Sequence, residues 1–356
     1  MFSERLHQAR RASGLSLRKL AEQVSVSAMM LSKYERGESM PSSGVLLELS
    51  DALGVRAEYF FRTVNINLER VEHRNKHRWK LSKLAETKVL ADVRDQLERW
   101  HELDELLPAP WSVQFSLPHD LPDSITTLDE IETVAVQVRQ HWKLGLNPIP
   151  DLMDTLEARG VKVFTTRFDD PRFEGMSARA DKHHVVVVGR MWSGDRQRFT
   201  LAHELGHLVL DDRIADDLDK EEAADRFAGA FLVPAVMVVE TLGTRRRSLE
   251  IYELYLLKQE FGLSIGAWSY RALDNGVIAK ATHSAIWRML VSKGWDKVEP
   301  GDQYPPETPR LFEQTVYRAL GEDWISESKA AELLSISVRE LVTHRRMERV
   351  DGDSCQ

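Results

Sequence analysis

Apolar residues recur every three or four positions through residues 1–62, and small polar residues interrupt them. This pattern predicts a block of four short helices and a fifth helical turn near Glu58. Capping and terminating residues stand at the expected boundaries, in order Ser16, Gly37, Ser42, Ser43 and Gly54. The sequence therefore predicts a compact five-helix domain at the N-terminus.

The next segment, residues 63–107, is polar, charged and free of Gly and Pro. Apolar positions recur within it at helical spacing, at Leu90, Val93, Leu97, Trp100, Leu103 and Leu107. The spacing predicts one or two long helices that link two domains. The apolar stripe would either pair with a second chain or lie along an exposed spacer helix, and the pattern does not separate these alternatives.

A second domain is predicted over about residues 120–280, after the boundary at Pro108 and Pro110. Runs of β-branched residues predict strands at 161–164 and 185–188. Helical spacing predicts helices at 128–142, 151–159, 196–210, 221–232, 246–261 and 264–274. The whole chain is thus expected to be α+β and mostly helical.

A helical tail is predicted over residues 301–356, in which 326–338 has a helix-turn-helix-like pattern. We favour an accessory helical subdomain over a second DNA-reading element. Because a chain of roughly fifty residues is marginal on its own, we expect this tail to dock on the preceding domain.

Charge and composition restrict the chemistry. The formal net charge is −8, so any nucleic-acid binding must come from a local surface. The one cysteine, Cys355, can form neither an internal disulfide nor a Cys-rich zinc site. The N-terminus lacks the apolar core of a signal peptide, and no stretch approaches the ~20 apolar residues of a membrane span. We expect a cytoplasmic protein with no membrane partner.

One motif within the helix predicted at 196–210 carries metal chemistry. His203 and His207 are four residues apart, so both imidazoles leave the same helix face and can hold one tetrahedral metal ion. Glu204 follows the first histidine and could accept a proton from a water that zinc has acidified. A five-residue pattern of this kind also arises by chance, but such groups in an apolar helix need a partner or a metal.

A third ligand must come from elsewhere, and the helix predicted at 221–232 offers it. Glu221 and Asp225 share one helix face, so Glu221 could bind zinc while Asp225 orients a histidine. Glu222 stays in reserve as the ligand, although an acidic first turn favoured by the helix dipole explains it better. The pair His183 and His184 could neighbour the site or simply begin a strand. A charged loop is predicted at Asp211, Asp212, Asp216, Asp217 and Asp219.

Residues 196–210 and 221–234, with 156–164 upstream, closely resemble the ImmA/IrrE metallopeptidases. The resemblance covers about residues 125–280 and implies a small gluzincin-like zincin fold with a short β-sheet. It also implies two histidines and a glutamate as zinc ligands. A strand edge near 173–177 is then expected to hold an extended peptide beside the zinc.

The family pattern carries over onto individual residues. His203 and His207 match its histidines, Glu204 its general base and Glu221 its ligand glutamate. Many members have a further glutamate where this chain has Ala223, so the choice between Glu221 and Glu222 stays open.

The N-terminal block carries a second activity. The short connection between its second and third helices is typical of a helix-turn-helix, whose second helix enters the DNA major groove. The block could instead be a helical bundle for protein contacts. Residues 3–62 resemble the Xre/Cro/CI-type, lambda-repressor-like domain, with Leu17 and Ser25 in place of its usual glutamine and glycine. The candidate DNA-contacting residues are Arg18, Ser27, Ala28, Met29, Ser32 and Lys33.

Taken together, the two resemblances imply a transcriptional regulator that binds a double-stranded operator, as a homodimer on paired half-sites. They also imply a zinc endopeptidase that cleaves a repressor or antitoxin protein in stress, mobile-element or toxin–antitoxin control. One alternative is a non-proteolytic transcription factor whose peptidase-like half senses a signal. Another is an antitoxin that neutralises its toxin by binding alone.

Overall fold

A computed structural model describes residues 1–62, 66, 69–73, 81–108, 113–166, 170, 172–180 and 183–347. Cys355 and the end of the predicted tail lie outside these residues, as do parts of the predicted linker. In chain order the first elements are α1 (Phe2–Ser13), α2 (Leu17–Ala21), α3 (Ala28–Glu35), α4 (Ser43–Leu53), a 3₁₀ turn (Ala57–Phe61), β1 (Glu69–His73), α5 (Lys83–Leu106), α6 (Leu128–His141) and α7 (Leu152–Glu157).

Three strands and the remaining helices follow. They are β2 (Val161–Thr166), β3 (Gly175–Ala180), β4 (His183–Gly189), α8 (Gly194–Leu210), α9 (Lys220–Leu232), α10 (Ala235–Leu242), α11 (Ile251–Phe261), α12 (Ile265–Asp274), α13 (Lys280–Ser292), α14 (Leu311–Gly321), α15 (Glu327–Leu334) and α16 (Val338–Arg345). The predicted α+β, mostly helical class is confirmed. Among the described residues, no helix is both long and apolar enough to cross a membrane.

Contacts divide the chain into two units. Unit 1 comprises Met1–Asn67, Leu81–Ser112 and Arg310–Gln356. Unit 2 comprises Leu68–Lys80 and Val113–Pro309. The chain therefore leaves unit 1 twice, once for a short stretch and once for the larger insertion.

The N-terminal helices of unit 1 begin where their capping serines stand. The hydroxyls of Ser16, Ser27 and Ser42 each accept a hydrogen bond from the backbone N–H three residues later, at the starts of α2, α3 and α4. The inward faces of these helices share one apolar core, which includes Leu6, Leu20, Leu31, Leu49 and Phe60. This arrangement confirms the predicted four helices and fifth turn.

The predicted linker is not helical throughout. Residues Glu69–His73 form β1, which pairs antiparallel with β3 of unit 2. The helix of this region begins only at Lys83, where the Ser82 hydroxyl caps it. The helical prediction for 69–73 is therefore wrong, because the unpaired backbone groups along β3 offer this segment a ladder that no local pattern reveals.

The apolar stripe of α5 packs within its own unit. Val93, Leu97 and Leu103 are fully buried there. Trp100 meets the ring of Phe312 edge-on, with centroids 5.0 Å apart. The stripe is therefore buried within the chain. It neither pairs with a second chain nor lies along an exposed spacer helix, the two alternatives that the sequence left open.

The predicted tail is divided between the two units. Residues 301–309 belong to unit 2, where Glu307 accepts hydrogen bonds from the backbone N–H groups of Leu152 and Met153, so the expected docking on the second domain holds for this part. From Arg310 onward the tail belongs to unit 1, and for its helices the expectation is wrong.

One reason for the packing of these helices in unit 1 is found at the end of α15. Carbonyl groups at a helix end lack partners within the helix, and α5 provides one. Arg99 of α5 donates a hydrogen bond from Nη1 to the Leu333 carbonyl at 2.9 Å. Lys329 pairs with Glu102, also on α5.

The sheet of unit 2 has the strand order β1-β3-β4-β2. Strand β2 runs parallel to β4, whereas β3 runs antiparallel to both β4 and β1. Helix α8 packs on β3 and β4, and α9 packs across α8. The strands predicted at 161–164 and 185–188 are confirmed, whereas α10 and α13 were not predicted.

Helices α8 and α9 approach closely at Gly206. A Cβ atom at this position would lie 3.2 Å from the Ala224 Cα atom and 3.3 Å from the Phe227 ring. These distances are tighter than ordinary van der Waals contact, so a side chain at this position would displace the α9 backbone by a few tenths of an ångström. The close approach brings the first turn of α9 towards α8.

Replacing Gly206 with Val should lower the free energy of unfolding of unit 2 by about 1–3 kcal/mol, because the added methyl groups push α9 away from α8. Denaturant unfolding of the full chain measures the change. Gly44 of helix α4 is the matched control, because a Cβ atom added there would meet no other atom within 4 Å. Equal losses in Gly44→Val and Gly206→Val would contradict a packing origin.

A buried ion pair joins α1 to α5 in unit 1. Nη1 of Arg5 lies 2.9 Å from each carboxylate oxygen of Glu98, and the two side chains are 5% and 1% exposed. Burial raises the pKa of Glu98, while the hydrogen bond and charge of Arg5 oppose that shift. The carboxylate thus depends on Arg5 for its charge compensation.

Replacing Arg5 with Met should destabilise unit 1 by about 3 kcal/mol, because it leaves the Glu98 carboxylate buried without its cation. Adding Glu98→Gln should restore most of that loss, since a neutral amide costs less to bury. Removing Arg36 from its exposed pair with Glu38 is the control and should leave the free energy of unfolding nearly unchanged. A double variant no more stable than Arg5→Met alone would refute this account.

Candidate metal centre

The candidate site is built on α8, which carries polar groups in an otherwise apolar environment. His203 and Glu204 are fully buried, and His207 is 4% exposed. Leu201, Ala202 and Leu205 of the same helix belong to the core of unit 2. Burying three such groups is costly unless each has a partner, so their surroundings decide what they can do.

The two imidazoles converge with a carboxylate from α9. The Nε2 atoms of His203 and His207 are 3.1 Å apart, and Glu221 oxygens lie 3.7 and 3.4 Å from them, respectively. Atoms that share one tetrahedral zinc ion at about 2.0–2.1 Å lie roughly 3.3 Å from each other. One donor atom from each residue falls within 4.8 Å of the others. The donor set and its spacing therefore fit a zinc ion.

Each imidazole also has a carboxylate behind it. Asp225 lies 2.7 Å from Nδ1 of His203, and Asp211 lies 3.2 Å from Nδ1 of His207. A carboxylate at Nδ1 holds the ring orientation and leaves Nε2 directed at a metal. The sequence analysis assigned such a position to Asp225 but missed Asp211. The spacing of four residues between His207 and Asp211 could have indicated this contact.

The start of α9 is set by Asp219. Its carboxylate accepts hydrogen bonds from the backbone N–H groups of Glu221 and Glu222, both at 2.9 Å. This cap places Glu221 in the first helical turn, facing the histidines, while Glu222 is exposed and outside the cluster. The expectation of a plain charged loop is therefore wrong for two of its residues. The Asp211 carboxylate orients the His207 ring, and the Asp219 carboxylate caps α9.

Glu204 is oriented by the sheet. The Ser177 hydroxyl on β3 donates a hydrogen bond to Glu204 Oε2 at 2.7 Å. Gly175 on the same strand lies against α8, where an added Cβ would meet Thr200 at 2.4 Å and the Glu204 Cγ atom at 3.7 Å. Sequence reasoning placed a strand edge near 173–177 beside the zinc, but it did not identify the contacts of Ser177 and Gly175 with Glu204, because nothing local links β3 to α8.

The charges around the centre favour a cation. Burial by itself lowers the pKa of the His207 imidazole, but its hydrogen bonds to Asp211 and Glu221 and the charge of Glu204 raise it to about 10. In the absence of a metal, this imidazole would bind a proton at neutral pH. A metal ion would replace that proton and meet the same carboxylates.

The other histidine pair lies elsewhere. His183 and His184 begin β4, as one of the two interpretations expected, and neither belongs to the cluster of three donors. The His184 ring packs beside Phe115, with centroids 4.6 Å apart, and burial lowers its pKa.

The candidate DNA-contacting residues lie around α2 and α3 of unit 1. Arg18, Ser27, Met29 and Lys33 are exposed, and Met29 is 71% exposed. Ala28 and Ser32 are partly exposed on α3, where the Ser32 hydroxyl accepts a hydrogen bond from Arg36 at 2.7 Å. Ser27 also caps α3. The exposed side of α3 thus holds the predicted reading positions.

Comparisons with known proteins match both the N-terminal helices and the region that carries the candidate metal centre. Residues 156–273 match the family model of the IrrE N-terminal-like domain, and residues 6–60 match a helix-turn-helix family model. The chain is similar to the radiation response metalloprotease IrrE of Deinococcus deserti, with 36% identity over 74 residues. That match covers 17% of this chain and 26% of the relative. The chain therefore joins an Xre-type helix-turn-helix domain at its N-terminus to a domain of the IrrE/ImmA metallopeptidase type.

Proposed function

We propose that the protein is a DNA-binding regulator whose second domain is a zinc-dependent endopeptidase. The observation that carries the proposal is the convergence of His203, His207 and Glu221, which lie within 4.8 Å of one another by one donor atom each. The carboxylates of Asp225 and Asp211 contact the Nδ1 atoms of the two imidazoles and hold the orientation of the rings. This is the donor set of a catalytic zinc site, in which three protein ligands leave one position for water or substrate.

Zinc, when bound, supplies a Lewis acid that increases the acidity of water and polarises a carbonyl group. The residues of the chain do the rest. Glu204 adjoins the ligands on α8, so its carboxylate can accept a proton from the attacking water and later deliver it to the leaving amine. The Ser177 hydrogen bond holds one oxygen of Glu204 and restricts the carboxylate to one orientation.

The regulatory half of the proposal rests on unit 1. The exposed residues of α3 would read bases in the major groove, and Arg18 on α2 would contact phosphate. Such domains use paired half-sites, so we expect a homodimer on a double-stranded operator. The relative's name describes a radiation-response metalloprotease. That name supports a role in stress control. A cytoplasmic location and a repressor or antitoxin protein as the substrate are further parts of the proposal.

The purified protein should hold about one zinc ion per chain. His203→Ala should lose it, because the two remaining donors bind zinc far more weakly than the full set of three. Elemental analysis after dialysis measures the metal. His183→Ala is the matched control, since His183 lies outside the donor cluster. Retention of one tightly bound zinc ion by His203→Ala would exclude the proposed ligand set.

The zinc-loaded Glu204→Gln variant should keep its metal but cleave at least ~100-fold more slowly than the wild type, because it lacks the base. Candidate repressor and antitoxin proteins encoded near its gene are the substrates, and mass spectrometry identifies the cut. Equal cleavage by both proteins would rule out Glu204 as the base. No cleavage by either protein, together with intact operator binding, would favour a regulator that does not cut.

Operator binding can be tested on sequences selected from a random DNA library. Arg18→Ala should weaken binding to all selected sequences and reduce the salt slope of the affinity by about 1, as expected for a lost phosphate contact. Met29→Ala should instead change the base preference at one position. A Met29→Ala protein with an unchanged preference would remove Met29 from the reading surface.

A further inference from the structure

Strand β3 contacts the candidate metal centre, and its edge away from β4 is the one on which a peptide could pair. Ser177 of β3 is hydrogen-bonded to Glu204, and Gly175 packs directly against α8 beside the same carboxylate. An extended peptide that paired with this edge would therefore run past Glu204. Strand addition of this kind satisfies the peptide backbone and leaves alternate side chains free for recognition. A peptide substrate that binds by strand addition would therefore use this edge of β3.

A segment of the chain itself lies on that edge. Strand β1 pairs antiparallel with β3, with Glu72 opposite Ser177 and His73 opposite Met176. The C-terminal end of β1 thus lies beside the part of β3 that contacts Glu204. A strand edge presents one row of outward N–H and C=O groups, which can serve one partner at a time. While β1 is paired, a substrate peptide cannot use this edge.

The pairing has the properties of a reversible contact. Strand β1 has five residues, and its register shifts between Glu69 and Glu72. A short and irregular ladder at a sheet edge contributes little stability by itself. Its covalent attachment nevertheless keeps the segment at an effective concentration on the order of millimolar. A free peptide at lower concentration would therefore be excluded until β1 is displaced.

We propose that β1 is an intramolecular occupant of the substrate edge, which keeps the peptidase domain inactive until it leaves β3. The stretch that contains it, Leu68–Lys80, connects two segments of unit 1. The DNA-binding unit is thus covalently continuous with both ends of the blocking segment. The occupancy of β3 is independent of catalysis, whereas the inhibition of cleavage rests on the proposed function.

The test uses the full-length, zinc-loaded protein and two proline substitutions, Glu72→Pro and His73→Pro. Adjacent N–H groups of an antiparallel strand point in opposite directions, one towards the partner and one away from it. Proline removes the N–H group, so one of these variants breaks the ladder and the other is tolerated at an edge. The tolerated variant is the matched control for the disruptive one.

Three measurements are made on each protein. Hydrogen exchange of residues 175–180 reports whether the amides of β3 that face β1 are protected. Fluorescence anisotropy measures the affinity for a labelled peptide with the sequence of residues 69–76. Fluorescein-labelled β-casein, an unstructured protein, reports cleavage. The disruptive variant should lose protection at alternate β3 amides, bind the peptide at least tenfold more tightly than the wild type, and cut casein at least tenfold faster.

Each contrary result has a distinct meaning. Unprotected β3 amides in the wild type would show that β1 does not occupy the edge and would overturn the proposal. Lost protection without tighter peptide binding would do the same. Self-cleavage just after β1 would make the segment a substrate and also overturn it. If no protein cuts casein while the disruptive variant binds the peptide tightly, the occupancy stands and the endopeptidase assignment fails. Casein cleavage that persists in Glu204→Gln would likewise count against the assignment alone.

Discussion

Two imidazoles and a carboxylate lie buried on one helix, and the cost of burying them shapes the rest of unit 2. His203, Glu204 and His207 are almost fully removed from solvent, so each must find a partner inside the protein. Carboxylates from two directions provide these partners, with Asp211 on the far end of α8 and Asp225 on α9. The close crossing at Gly206 brings the two helices near enough for this arrangement. A cation is the natural complement of so many converging acceptors.

The backbone N–H and C=O groups of the sheet also need hydrogen-bond partners. A strand at the edge of a sheet leaves a row of backbone groups unpaired, and without β1 the strand that contacts Glu204, β3, would be such an edge. Strand β1 satisfies the row with a segment from between two parts of unit 1. A chain that joins a DNA-binding domain to a peptidase-type domain through such a segment can connect binding and cleavage without a further domain. The proposed regulation therefore follows from ordinary strand pairing.

Unit 1 shows how far its parts depend on one another. Helix α5 joins α1 through the buried pair of Arg5 and Glu98, and it joins the tail through Arg99 and Trp100. The two contacts with the tail join residues more than two hundred positions apart along the chain, whereas Arg5 and Glu98 are 93 positions apart. The tail helices α14 to α16 thus complete the N-terminal unit. Because the α5 stripe is buried within this unit, any dimer contact must use another surface.

Local patterns determined much of this protein. Capping serines and helical spacing predicted α1 to α4, and the spacing of four residues placed His203 and His207 on one face, because these features depend on neighbours within a single helical turn. Tertiary structure alone decided three features: the position of Glu221 rather than Glu222 beside the two histidines, the contact of Ser177 with Glu204, and the strand at Glu69–His73. Each of these depends on groups that are distant in the sequence, and partners for a strand edge or a buried imidazole are selected by three-dimensional proximity. Periodicity reports which face of a segment is apolar, but it does not report which other segment will meet that face.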